Sequence, residues 1–128
     1  MATRVIKGTI DTFSVDAGSE ITYLGTTAAS STPGVDFRGF RVNPGSTGDI
    51  IVTIERSSGL TTMEIFQEDA YTAGNAPTGY KKFANIEKDG KGKGVVAVTV
   101  TDASKNYIVL LNYDGYSSVS YNGSVVVP

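Results

Sequence analysis

Along most of the chain, apolar and polar residues alternate with a period of two, and clusters of Gly, Pro, Asn and Asp interrupt the alternation. Ile50, Val52 and Ile54 alternate with Ile51, Thr53 and Glu55. Successive side chains of a strand point to opposite sides, so this is the pattern of a strand with one buried face. Val96, Val98 and Val100, set against Ala97, Thr99 and Thr101, repeat it most cleanly. Val119, Tyr121, Val125 and Val127 share one parity in the last segment, with serines and Asn122 on the other. Residues 107–111 are instead continuously apolar, which predicts a central strand covered on both faces. Weaker patterns predict strands at 4–7, 10–15, 21–24, 37–42, 60–66 and 81–86. Fifteen glycines and scattered Thr, Ser and Val leave no good helix window, and 63–70 reads best as a strand running into a loop.

The interruptions have their own chemistry. Asp114-Gly115 lies between two apolar runs and predicts a tight hairpin, since both residues tolerate positive φ. Asn43-Pro44-Gly45 puts proline where φ is preset and glycine where φ turns positive. Asn122-Gly123 reads as either a second tight turn or a bulge inside the last strand. Two longer loops, 26–34 and 71–79, are the places where a rigid β scaffold usually carries binding residues. About eight to ten short strands at this spacing predict an all-β fold, an antiparallel β-sandwich or jelly roll. A length of 128 residues makes it a single domain over 1–128. Within it, 1–15 is a candidate extending or strand-donating segment.

Composition narrows the chemistry. There is no cysteine and no histidine, which removes disulfides, thiolate metal sites, and the commonest general base and zinc ligand. The ordinary nucleophile triads cannot be assembled, and no spacing pairs two carboxylates beside a plausible pocket, so the expectation is a protein that is not an enzyme. A formal net charge of −2 and a pI near 5.0 argue against nucleic acid as partner. No stretch has the roughly 20 apolar residues of a membrane helix, so no membrane insertion is expected, and residues 1–12 carry Arg4 and Lys7 but no apolar run of a signal peptide. The run 88–94, Lys and Gly in alternation after Asp89, precedes a valine strand rather than a helix, so it reads as a charged hairpin loop and not as a phosphate-binding loop.

Two groups of side chains remain as candidates. Calcium is the metal that this inventory permits, because it takes oxygen ligands; Glu64, Glu68 and Asp69 are the candidate ligands, with Asp11, Asp16 and Glu20 a looser acidic group. Neither has the spacing of a known calcium loop, so the working expectation is no cofactor. Tyrosine supplies large contact area at low entropic cost and anchors protein and sugar interfaces. Tyr107, Tyr113 and Tyr116 at the C-terminal hairpin, with Tyr71 and Tyr80, are the candidate ligand-binding residues; Tyr107 and Tyr113 share parity and line one face.

From about Val35 onward the chain resembles the bacterial pre-peptidase C-terminal family, and collagen-binding domains of clostridial collagenases are similar. Asp36-Phe37-Arg38-Gly39-Phe40-Arg41-Val42-Asn43-Pro44-Gly45 resembles the family's Asp-x-aromatic-x-Phe-x-Val-x-x-Gly opening strand, with an extra residue. Residues 49–55 match the apolar strand that follows, 105–110 resemble a Gly-x-Tyr-x-Val strand, and 121–127 resemble the closing Tyr-x-Leu-x-Val strand. The family's acidic Asp-x-Asp strand is here Thr61-Thr62-Met63-Glu64-Ile65-Phe66, and the glycine before Tyr107 is missing, so an inherited calcium site is not implied. The resemblance implies a β-sandwich appended to a secreted protein, and the location expected across the readings is extracellular or a cell or virion surface. The leading expectation is a non-catalytic module that binds a protein or polysaccharide surface. The alternative is a structural subunit of a filament, tube or virion that binds copies of itself by strand addition.

Overall fold

The computed structural model describes residues 1–9, 11–25, 37–70, 79–84, 92–113 and 118–128; side chains are described for all of these except 37, 38, 70 and 82–84. Ten strands account for most of them: β1 (Ala2–Thr9), β2 (Phe13–Val15), β3 (Ile21–Gly25), β4 (Phe37–Val42), β5 (Gly48–Ser58), β6 (Leu60–Gln67), β7 (Lys81–Ala84), β8 (Gly94–Val100), β9 (Tyr107–Tyr113) and β10 (Ser120–Val127). Among the described residues the helical element is one 3-10 turn, Glu68–Ala70, which continues β6. The strand-into-loop reading of 63–70 therefore ends in a short turn.

The strands form two antiparallel five-stranded sheets. The first runs β2-β1-β10-β5-β8 and the second β3-β4-β9-β6-β7. Apart from β2 and β3, which link β1 to β4, eight strands stand as β1-β10-β5-β8 against β4-β9-β6-β7, and the chain changes sheet at most connections. This is a jelly-roll sandwich, built by pairing across long sequence distances, with β2, β8, β3 and β7 as its edge strands. The predicted N-terminal strand lies within this sheet: β1 pairs with β10 from Ala2↔Val127 to Thr9↔Ser120 and with β2 on its other side. Residues 2–9 thus find their hydrogen-bonding partners in their own chain.

The core follows the period-two pattern. Ile6, Ile50, Val52, Ile54, Val96, Val98, Val100, Val125 and Val127 face inward from the first sheet. Ile21, Phe40, Val42, Met63, Ile65, Tyr107, Val109 and Leu111 meet them from the second. Strand β9 is central, between β4 and β6, and residues 107–111 are all buried. Its opposite parity, Ile108 and Leu110, joins Phe66 in a second apolar cluster on the far face of that sheet, with Leu24 and Tyr80 packed against it. The second sheet is therefore covered on both sides at its centre.

Two turn expectations meet the described residues. Gly45 has φ +74°, as Asn43-Pro44-Gly45 requires. Asn122-Gly123 is a bulge, not a turn: Gly123 faces Ile54 while Asn122 faces Arg56, leaving Glu55 as the extra residue on β5. The Asp114-Gly115 hairpin, the 26–34 loop, 71–78 and Lys88–Lys91 lie outside the described residues.

Candidate functional site

Parity and neighbours decide what each candidate side chain can do. Tyr107 and Tyr113 do share a face of β9, but that face is the inter-sheet core. Tyr107 is 1% exposed, and its hydroxyl accepts a long hydrogen bond of 3.4 Å from the Gln67 amide. Tyr113 is half-buried against the same core. A tyrosine on a central strand between two packed sheets has no outward face, so Tyr107 stabilises the sandwich and offers no contact surface. Tyr71 and Tyr116 lie outside the described residues.

Tyr80 sits on the far face of the second sheet. Its hydroxyl donates to Glu64 Oε1 at 2.7 Å, and Asn112 Nδ2 donates to Glu64 Oε2 and to Thr62 Oγ1, each at 2.7 Å. Burial, followed by the bonded and negatively charged Glu64, pushes the Tyr80 phenol up to about 12. A raised native value means that the folded protein holds this proton more tightly than the unfolded chain. The resulting stability is complete below the ordinary phenol value of 10.0 and is lost as pH rises through about 12. Tyr80→Phe is expected to abolish this component. Chemical denaturation midpoints of wild type and variant, compared from pH 9 upward, should converge above about pH 12; a gap that stays constant would disprove the coupling.

The three candidate calcium ligands take separate partners. Glu64 is held as above by Tyr80 and Asn112. Glu68 forms a two-pronged ion pair with Arg41 at 2.8 and 2.6 Å, and the hydrogen bond from Arg41 chiefly lowers the Glu68 carboxyl below its ordinary value. Asp69 pairs with Lys105 at 2.6 Å. Glu64 projects from the strand face while Glu68 and Asp69 follow on the 3-10 turn, so the three are aimed apart. Of the second acidic group, Glu20 grips Arg4 at 3.1 and 2.9 Å and Asp16 accepts the Val5 backbone N–H at 2.9 Å. Among the described residues no three acidic side chains converge as a metal site.

A concavity that the sequence did not single out lies where β1, β2 and β10 meet. Lys7, Gly8, Thr9, Thr12, Ser14, Tyr121 and Asn122 line a pocket of about 360 Å³. Register builds it: Lys7 stands opposite Ser14 on one side and Asn122 on the other, so an ammonium, a hydroxyl and an amide share one outward row. The Thr9 N–H donates to the Thr12 carbonyl at 3.0 Å, and the two threonine hydroxyls lie 2.8 Å apart. That short link holds both at the rim. Every polar group in the lining is a hydroxyl or an amide apart from Lys7, a set suited to hydrogen-bonding a hydroxylated ligand from several sides.

The outer face of the first sheet presents a different surface. Two adjacent rows cross β1, β10, β5 and β8: Thr3, Val126, Ile51 and Ala97, then Val5, Ser124, Thr53 and Val95. None of the eight is charged, and Val5 and Val95 are each 52% exposed. Against known proteins, the chain matches no family model and no curated protein.

Proposed function

We propose that the chain is a non-catalytic β-sandwich module that binds a polysaccharide through the pocket between β1, β2 and β10. The observation that carries this reading is the convergence of Lys7, Thr9, Thr12, Ser14 and Asn122 around one concavity of about 360 Å³. Ligand sites of small molecules commonly span roughly 300–1,000 Å³ and orient their ligand with a few placed polar groups. Here one ammonium, three aliphatic hydroxyls and one amide stand around a partly apolar lining, which suits a ligand that combines hydroxyl groups with an apolar ring face. The resemblance of residues from Val35 onward to appended sandwich modules supports the same reading and an extracellular or surface location. No metal enters it.

Retardation of the native protein in gels containing a neutral glucan, a mannan or an acidic polyuronate tests the reading. Lys7→Ala and Asn122→Ala remove two rim groups from exposed positions and are expected to reduce retardation at least fivefold, about 1 kcal/mol each, while a chelator leaves it unchanged. Equal retardation of wild type and both variants in every polymer that retains the protein would sink the pocket.

A second reading, a self-assembling structural subunit, is favoured by one observation: the two uncharged rows on the outer face of the first sheet. Half-buried Val126 and Ile51 adjoin at the centre of one row, exposed Val5 and Val95 flank the next, and a face of this kind without charge suits a protein contact.

A further inference from the structure

We infer that the outer face of β1-β10-β5-β8 docks against the same face of a second copy, with the strands of the two copies antiparallel across the contact. The inference rests on the self-assembly reading and adds to it a surface, a symmetry and a register. Its basis is the placement of charge around the uncharged rows.

At one end of those rows stands Asp49 on β5, exposed, its carboxylate accepting a hydrogen bond from Thr99 at 2.8 Å. At the other end stand Lys7 on β1, Arg56 on β5 and Lys93 just before β8, all exposed, with Glu55 as the extra residue of the bulge. Among these residues one end is therefore anionic and the other carries a cationic excess. Along β5 the outward order is Asp49, Ile51, Thr53, then the Glu55–Arg56 bulge, so the centre of the row pattern falls between Ile51 and Thr53. Asp16 sits to the side, beside Val5, with its carboxylate on the Val5 N–H.

A two-fold axis lying in the face, perpendicular to the strands and passing through that centre, superposes each row on its neighbour. The row of Ile51 and Val126 then packs on the partner's row of Thr53 and Val5, and Asp49 meets Arg56 of the partner subunit at both ends of the contact. The other in-plane axis, parallel to the strands, sets Asp49 ends beside one another and cationic ends beside one another. Charge thus selects the antiparallel pair, and a contact of this kind uses one patch twice. Four strands about 4.8 Å apart, each presenting four outward residues about 7 Å apart, cover on the order of 500 Å² per copy. A standard stable interface buries about 800 Å² per partner, so the pair is weak on its own and forms at high local concentration.

Sedimentation velocity from about 10 μM to about 1 mM is expected to show a monomer–dimer equilibrium with a midpoint of hundreds of micromolar. Asp49→Arg and Arg56→Asp each set two like-charge pairs in the dimer and should weaken it at least tenfold; the double exchange should restore it to within about threefold. Val95→Lys should also weaken it. Neither charged residue lies in the core or lines the pocket, so melting curves close to wild type accompany all variants. Monomer at every concentration overturns both this contact and the self-assembly reading. Larger or equal assemblies in which both single charge reversals associate like wild type overturn the face-to-face contact alone and leave self-assembly standing.

Discussion

Replacing Phe40 by alanine is expected to remove about 4 kcal/mol of stability, enough to cripple a domain whose total lies in the range of about 5–15 kcal/mol. Phe40 is 0% exposed and stands on β4 between Tyr23 of β3 and Val109 of β9. It also reaches across the sandwich. Its ring centroid is 5.3 Å from that of Phe13 on β2, in the opposite sheet, and Phe13 stacks on Tyr23 at 5.1 Å with the rings 3° from parallel. Truncation therefore forfeits a large buried ring, leaves a cavity where two sheets meet, and withdraws the support beneath a stacked pair. The β2–β3 crossover is anchored by this trio, so the cavity cannot close by collapse of a loose loop. Phe40→Leu retains most of the volume and should lose about 1.5 kcal/mol or less. Urea denaturation gives the answer: a lower midpoint at unchanged slope, more than twice as large for alanine as for leucine. Equal small shifts for both would mean that the three rings do not bear on one another.

The strands were largely legible because their signal is local. Val96, Val98 and Val100 alternate so regularly that their inward face needs no partner to be recognised, and the unbroken apolar run 107–111 identified a doubly covered strand. Phe66 shows where such reading stops. Beside Ile65 it breaks the alternation, and nothing in the neighbouring letters says that a second cluster with Ile108 and Leu110 covers the outer face there. Burial of the second face depends on what packs over the sheet, a property of the whole fold. The same limit governs β1: residues 4–7 read as a strand, but only long-range pairing with β10 puts that strand inside its own sheet.

The candidate sites fared according to how much each depended on register. Tyr107 and Tyr113 share a face of β9, but parity alone does not say which face looks inward. Glu64, Glu68 and Asp69 are close in sequence, yet a strand followed by a 3-10 turn sends them to Tyr80, Arg41 and Lys105. The pocket shows the converse. Lys7, Ser14 and Asn122 span nearly the full chain, and only the alignment Lys7↔Ser14 and Lys7↔Asn122 brings them together. No spacing within one segment announces such a set.

Gly123→Ala is expected to cost about 3 kcal/mol, although it adds a single methyl group. A Cβ at Gly123 would lie 2.0 Å from the Thr53 carbonyl oxygen, 3.0 Å from the Thr53 carbonyl carbon and 3.1 Å from the Ile54 Cα. All three atoms are backbone of β5, the strand paired with β10 on both sides of this position. A side chain in the way can rotate; a ladder can only part. The close approach falls at the bulge, where Glu55 is the extra residue of β5 opposite Asn122 and Gly123, and glycine leaves room for it. Gly45→Ala is the comparison that isolates the effect. Gly45 also has a demanding backbone, φ +74°, but no atom lies within 4 Å of its missing Cβ, so strain alone remains, about 1 kcal/mol. Amide hydrogen exchange should add a spatial signature. In Gly123→Ala, protection should fall at Thr53, Ile54 and Ser124 before it falls at the β9 centre, whereas Gly45→Ala should leave the β5–β10 ladder protected. If the two variants lose equal stability, the close approach of β5 to Gly123 is not what holds glycine at this position.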